Sequence, residues 1–189
     1  FEWGLIDLEH GFGTEASLVP ELMALELAGA TAIVRVETGS PLRISRVLDQ
    51  GASGIMVPRV RSAAEAELAV RYARYPPAGG RGVALSVRAA GYGSTPADGL
   101  AMVNYGITTM IQIENGEALA AVAAIAAVDG VDVLFVGPND LTHGLGIPGR
   151  FDDPLYRDAL AAVARAARAA GKAGGVLLRS PAELAPHRE

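Results

Sequence analysis

The spacing of short β-forming runs constrains this chain more than any other feature. Runs rich in Val, Ile, Leu and Thr fall at residues 3–8, 31–36, 54–60, 108–113, 131–136 and 173–178, separated by Ala-, Leu- and Glu-rich segments. Such alternation is the pattern of βα units around a parallel sheet. Where nothing is inserted the strand starts recur every 23 to 28 residues, which fits a (β/α) barrel and an open doubly wound sheet equally well. Helices are predicted over 18–28, 41–50, 63–75, 96–104, 117–127 and 154–170, with Ser40, Ser62 and Thr95 placed as N-caps. At 189 residues the chain can bury roughly 70% of the surface its unfolded form exposes, so residues 1–189 read as one domain.

One segment breaks the rhythm. Residues 75–94, YPPAGGRGVALSVRAAGYGS, hold too much Gly and Pro for a helix. A long excursion in a compact domain is usually functional or part of an interface, so this one is expected to be a binding loop.

Composition removes several classes of function. With no cysteine there are no disulfides, thiolate metal sites or cysteine nucleophiles, and a cytoplasmic location is expected. A net charge of -5 without a basic block argues against nucleic acid. No apolar run approaches the ~20 residues of a membrane span, and the N-terminus lacks the basic start and apolar core of a signal peptide. Of the sixteen Lys and Arg residues only Lys172 is lysine. It precedes the last predicted strand, whereas a Schiff-base enzyme needs its lysine in the pocket.

The polar residues gather at the C-terminal ends of the predicted strands: Asp7, Glu9 and His10 after the first, Arg35 after the second, Arg59 after the third, Gln112 and Glu114 on the fourth, Asn139 and Asp140 after the fifth. Parallel α/β proteins place their chemistry on that face. Gln112 and Glu114 share a side of their strand because side chains alternate. In a strand covered on both faces two such polar residues need a reason. Glu114 and Asp140 are expected to project from neighbouring strand ends into one pocket, where a cation relieves their repulsion. Oxygen ligands without cysteine favour Mg²⁺ or Mn²⁺. The competing reading makes each carboxylate a helix cap or a partner for Arg35. Asp7 and His10, three residues apart, could form an acid/base dyad in which the carboxylate fixes the imidazole tautomer, or only a structural hydrogen bond. Arg35 at the inner end of a strand needs an anion, from those carboxylates or from a substrate. Residues 144–149 match G-x-G-x-x-G in form but do not directly join a strand to a helix, so dinucleotide binding is set aside.

Six stretches together resemble the HpcH/HpaI family of metal-dependent pyruvate aldolases: DLEHG (7–11), VRV (34–36), GIMVPRV (54–60), YPPAGGRG (75–82), QIE (112–114) and GPNDL (137–141). The resemblance implies a (β/α)8 TIM barrel of the phosphoenolpyruvate/pyruvate type. Six strands are counted here, so the barrel would lack a strand and helix before Phe1 and the last strand with its helices after Glu189. It implies Glu114 and Asp140 as ligands of Mg²⁺ or Mn²⁺, with Co²⁺ a further option. Arg35 would bind and polarise the keto acid, His10 would be the acid/base and Asp7 its partner, and Gln112 would lie near the metal. Backbone N–H groups around Gly137, Pro138 and Asn139 would receive the substrate carboxylate. Val83 and Leu177 are candidates for the apolar lining of the aldehyde pocket.

The implied reaction is cleavage of a 4-hydroxy-2-oxo acid to pyruvate and an aldehyde through a metal-stabilised enolate. Subunits of such aldolases form homo-trimers or hexamers and share active sites, with the 81–93 loop as the expected contribution to a neighbour. The alternatives are a related lyase acting on a CoA thioester, of the citrate lyase β-subunit or malyl-CoA lyase type, and a non-catalytic remnant with an assembly role.

Overall fold

The computed structural model describes residues 1–184 and 187. Six strands, β1 (Trp3–Asp7), β2 (Thr31–Arg35), β3 (Gly54–Val57), β4 (Thr108–Ile113), β5 (Val133–Val136) and β6 (Ala173–Val176), form one sheet in which every neighbouring pair is parallel and the spatial order is the chain order. A doubly wound sheet reverses its strand order at a switch point, whereas a barrel adds each strand beside the last. The sequential order therefore settles the choice that periodicity leaves open: the sheet is a curled half-barrel, an incomplete TIM-barrel-like fold.

The helices are α1 (Glu15–Leu27), α2 (Pro41–Asp49), α3 (Ala63–Ala73), α4 (Leu100–Tyr105), α5 (Gly116–Ala120), α6 (Val122–Ala126), α7 (Pro138–Gly144) and α8 (Pro154–Ala169). Ser40 and Ser62 cap α2 and α3 through their side chains, as expected, and Asn115 and Asp153 do the same for α5 and α8. Several elements depart from expectation. The predicted helix over 96–104 is α-helical only from Leu100, with Gly99 and not Thr95 at its N-cap and no side-chain cap. The predicted helix over 117–127 is divided at Ala121, whose backbone leaves the helical region (φ -94°, ψ 5°). The predicted strand 54–60 stops at Val57, because Pro58 has no N–H to give a neighbour and Arg59 turns into the left-handed region (φ 58°). A helix with Pro138 in its first turn follows β5, where no helix was predicted.

Alternation along the strands sorts their side chains into two sets. Ala32, Val34, Ile55, Val57, Ile111, Ile113, Leu134 and Val136 point outward into the main core beneath the helices, with Ile55, Ile111 and Ile113 fully buried. Ile33, Met56, Met110 and Phe135, flanked by Leu5 and Val133, form a separate apolar layer on the other face. That second layer floors the concave side of the half-barrel. The next residues on the same face, moving toward the strand C-termini, are Asp7, Arg35 and Gln112, so the alternation that builds the floor also raises the polar groups above it.

The 75–94 excursion is tied down at the other end of the sheet. Arg81 pairs with Asp49 at the end of α2 (2.6 Å). Arg88 pairs with Glu26 near the end of α1 and reaches the Gln50 carbonyl (3.4 Å). Helix C-termini in βα units lie beside the N-termini of the next strands, so this loop sits opposite the polar face. Among the described residues no helix is long and apolar enough to cross a membrane.

Candidate active site

Register brings Asp7 beside Arg35 at the ends of β1 and β2. The carboxylate of Asp7 receives Arg35 Nε at 2.8 Å and Nη2 at 2.5 Å in a bidentate fork. Asp7 Oδ1 also accepts the backbone N–H groups of Glu9 (3.0 Å) and His10 (3.2 Å). This corrects the expected dyad. Asp7 faces Arg35, and its link to His10 runs through the His10 backbone, leaving the imidazole free of it. The His10 ring is largely exposed and has Glu9 Oε2 at 3.9 Å from Nε2.

Burial alone would raise the Asp7 pKa, but the Arg35 hydrogen bond, the two backbone N–H donors and the Arg35 charge outweigh it and hold the group below its ordinary 3.8. The folded pKa is thus depressed, so the pair stabilises the protein above the unfolded value and the gain is lost as pH falls through the folded one. Asp7→Asn should therefore cost ~1.5–3 kcal/mol at pH 7. In urea titrations the gap from wild type should begin to narrow as the pH falls below 3.8 and close only below the still lower folded pKa; a gap independent of pH would refute the pairing as its cause.

Glu114, just beyond β4, is 5% exposed. Its Oε1 accepts the backbone N–H of Arg59 at 2.5 Å, and its Oε2 accepts Gln112 Nε2. Desolvation is the largest influence on Glu114 and raises its pKa above 4.5; the Arg59 N–H opposes it, the charges of Glu9 and Asp140 push further upward, and Gln112 opposes again. Asp140, the other carboxylate expected at the site, is exposed on the first turn of α7. Gln112 is 2% exposed and its Oε1 is buried with no hydrogen-bond partner among the described residues.

Gly137 explains how β5 comes so close. A Cβ there would lie 2.7 Å from Gln112 Nε2, 3.1 Å from Glu114 Oε2 and 3.2 Å from Glu114 Cβ. Gly137→Ala should displace both side chains without unfolding the chain; a Gln112 side-chain amide resonance unmoved in ¹H–¹⁵N spectra of the folded variant would show that this spacing is not critical. The expected anion nest narrows, because the Gly137 N–H is already donated to the Ile113 carbonyl (3.3 Å) and Pro138 has none, which leaves Asn139 as the donor of the three.

Two residues were seen at strand ends in the sequence without being given a role. Glu9, in the bend that follows β1, is 7% exposed at its side chain and lies between Arg35 Nη1 (3.4 Å) and Arg59 Nη2 (3.2 Å). Arg59 supplies a backbone donor that no side-chain pattern reveals. Leu177 follows β6 on the same end of the sheet, with its N–H on the Val136 carbonyl (3.3 Å). Val83, half-exposed in the loop anchored by Arg81 and Arg88, is at the opposite end. The structure thus separates the two residues expected to line one aldehyde pocket. Lys172 precedes β6, away from the carboxylates.

A half-barrel with an acidic, arginine-bearing face at its strand C-termini belongs to the TIM-barrel class of sites. The sequence pattern of the HpcH/HpaI aldolase/citrate lyase family matches residues 1–184, and the chain belongs to that family. It is 42% identical over 177 residues to a 5-keto-4-deoxy-D-glucarate aldolase of Escherichia coli (strain K12), covering 94% of this chain and 69% of that protein. The structure is similar to that of an HpcH/HpaI aldolase/citrate lyase family protein from Burkholderia cenocepacia J2315, with a TM-score of 0.95 and 36% identity over all of this chain and 75% of the other. An HpcH/HpaI aldolase from Desulfitobacterium hafniense DCB-2 matches with a TM-score of 0.88 and 32% identity, over 97% of this chain and 71% of its own.

Proposed function

We propose that the protein is a metal-dependent lyase that cleaves a 4-hydroxy-2-oxo acid into pyruvate and an aldehyde. The observation that carries this reading is the environment of Glu114: a desolvated carboxylate, pushed toward protonation by the Glu9 and Asp140 charges, beside a buried Gln112 oxygen without a partner. A divalent cation would remove that repulsion. Each Glu114 oxygen accepts one hydrogen bond and keeps a lone pair, and Asp140 is exposed on the first turn of α7, the helix that follows the neighbouring strand β5. No group of three or more His, Asp or Glu side chains suited to a metal occurs among the described residues. Mg²⁺ fits such a sparse set, since it takes one or two carboxylates and fills its remaining positions with water and substrate oxygens. Divalent-metal dependence is typical of the family. Mg²⁺ or Mn²⁺ held by Glu114 and Asp140 would supply the positive charge that makes the electron pair released at the keto acid affordable.

The remaining steps fall to the chain itself. Arg35, aimed by Asp7, keeps N–H groups on Nη1 and Nη2 for the oxygens of the 2-oxo acid. Asn139 offers its backbone N–H to the substrate carboxylate. His10, exposed on the loop after β1, takes the proton of the C4 hydroxyl as the C3–C4 bond breaks; the oxygen becomes the aldehyde carbonyl, the electron pair passes to C3, and protonation there gives pyruvate. Leu177 borders the aldehyde side. A role for Val83 requires a second copy of the chain, consistent with a homo-trimer or hexamer with shared sites.

The CoA-thioester alternative calls for a basic pocket. Arg150 and Arg179, on the loops flanking α8 and β6, are instead paired with Asp153 (3.0 Å) and Glu183. The test is release of pyruvate from 4-hydroxy-2-oxopentanoate. Release that requires Mg²⁺ or Mn²⁺ and stops on chelation supports the proposal; metal-independent release, or none in a folded and metal-supplied sample, overturns it.

A further inference from the structure

We propose that Glu9 is a positioning residue that orients Arg35 and Arg59 together and, through the Arg59 backbone, supports Glu114. Its side chain is 7% exposed although it lies in a loop. A buried carboxylate is costly unless it is paired. Oε1 lies 3.2 Å from Arg59 Nη2 and Oε2 3.4 Å from Arg35 Nη1, and Oε2 is buried without a hydrogen bond. The carboxylate is thus held by two flanking guanidiniums.

Arg35 does not need Glu9 for neutralisation, because Asp7 already takes its Nε and Nη2. What Glu9 adds is direction: a second carboxylate beside Nη1, besides the one on the Nε and Nη2 edge, restrains rotation of the guanidinium plane. Arg59 depends on Glu9 more. Its side chain is 68% exposed and is held only at Nη2, by Glu9 and by the Glu37 carbonyl at 2.7 Å, among the described residues. The same residue has φ 58°, a left-handed conformation that is unfavourable for a non-glycine. That turn aims its N–H at Glu114 Oε1. Contacts that pin the Arg59 side chain help to hold the turn, so β1, β3 and β4 are linked at their C-terminal ends through one carboxylate.

The inference rests on the aldolase reading only for its choice of ligand, so it is tested first without one. In ¹⁵N NMR of arginine side chains, rotation of the Arg35 and Arg59 guanidiniums should be slow in the wild type and about tenfold faster in Glu9→Gln, with Glu9→Asp between them. Rotation unchanged in Glu9→Gln would overturn the proposal. A second measurement is pyruvate binding with Mg²⁺ present. Glu9→Gln should weaken it about tenfold in the native background and less than about twofold in the Arg35→Lys background. Equal losses in both would also overturn it, since a general structural defect gives additive effects. Failure of the wild type to bind pyruvate would count against the aldolase reading and leave the rotation result to decide the role of Glu9.

Discussion

Glu114→Gln is expected to reduce metal-dependent proton exchange at pyruvate by at least ~10²–10³-fold, the scale on which removal of a group stabilising developing charge acts. The substitution is nearly isosteric. Its side-chain oxygen can still accept the Arg59 N–H that now meets Oε1 at 2.5 Å. What disappears is the negative charge, the one attribute that a cation requires and that desolvation disfavours in the folded protein. Stability and activity should consequently move apart: thermal unfolding at or above the wild-type midpoint, with exchange lost. A variant that keeps exchange would remove Glu114 from the metal site, and one that unfolds would show that the carboxylate serves the fold.

Arg35→Lys is the second large expectation, with pyruvate affinity falling about 100-fold. A guanidinium can give one fork to Asp7 and retain N–H groups for a ligand, whereas an ammonium is a point charge that cannot do both in fixed directions. Its charge stays near Asp7 and Glu9, so the chain should fold with only a modest loss of stability. Titration with pyruvate in the presence of Mg²⁺ checks this, and an unchanged dissociation constant would place the ligand elsewhere.

Much of the fold was legible because it depends on local patterns. Six β-forming runs became six strands, and Ser40 and Ser62 capped the helices that they precede. Strand order was not legible, since the barrel and the doubly wound sheet share one periodicity and differ only in which strands meet. The division of helix 117–127 at Ala121 lies within an Ala-rich run that carries no breaker.

The site shows the same boundary between local and tertiary information. Asp7, Arg35, Gln112 and Glu114 could be grouped because alternation fixes the side of a strand that each occupies. Which carboxylate Arg35 would choose depended on register, and Trp3↔Thr31 pairing set Asp7 against it. That choice drew Asp7 away from the His10 ring. Arg59 was hidden for a different reason, as a left-handed turn is usually announced by glycine or asparagine and here an arginine adopts it. The loop holding Val83 was recognised as an excursion, but its docking at the strand N-termini follows from Arg81 and Arg88 meeting Asp49, Glu26 and Gln50, partners distant in sequence.

The central claim, that Glu114 and Asp140 hold a cation at which a 2-oxo acid loses or gains a proton at C3, is tested most directly with pyruvate alone. In D₂O containing Mg²⁺ or Mn²⁺ the methyl protons of pyruvate, followed by ¹H NMR, should be replaced by deuterium in the presence of the protein, and a chelator should return exchange to the uncatalysed rate. Absence of exchange in a folded, metal-supplied sample would contradict the account, and so would exchange that persists after the metal is removed.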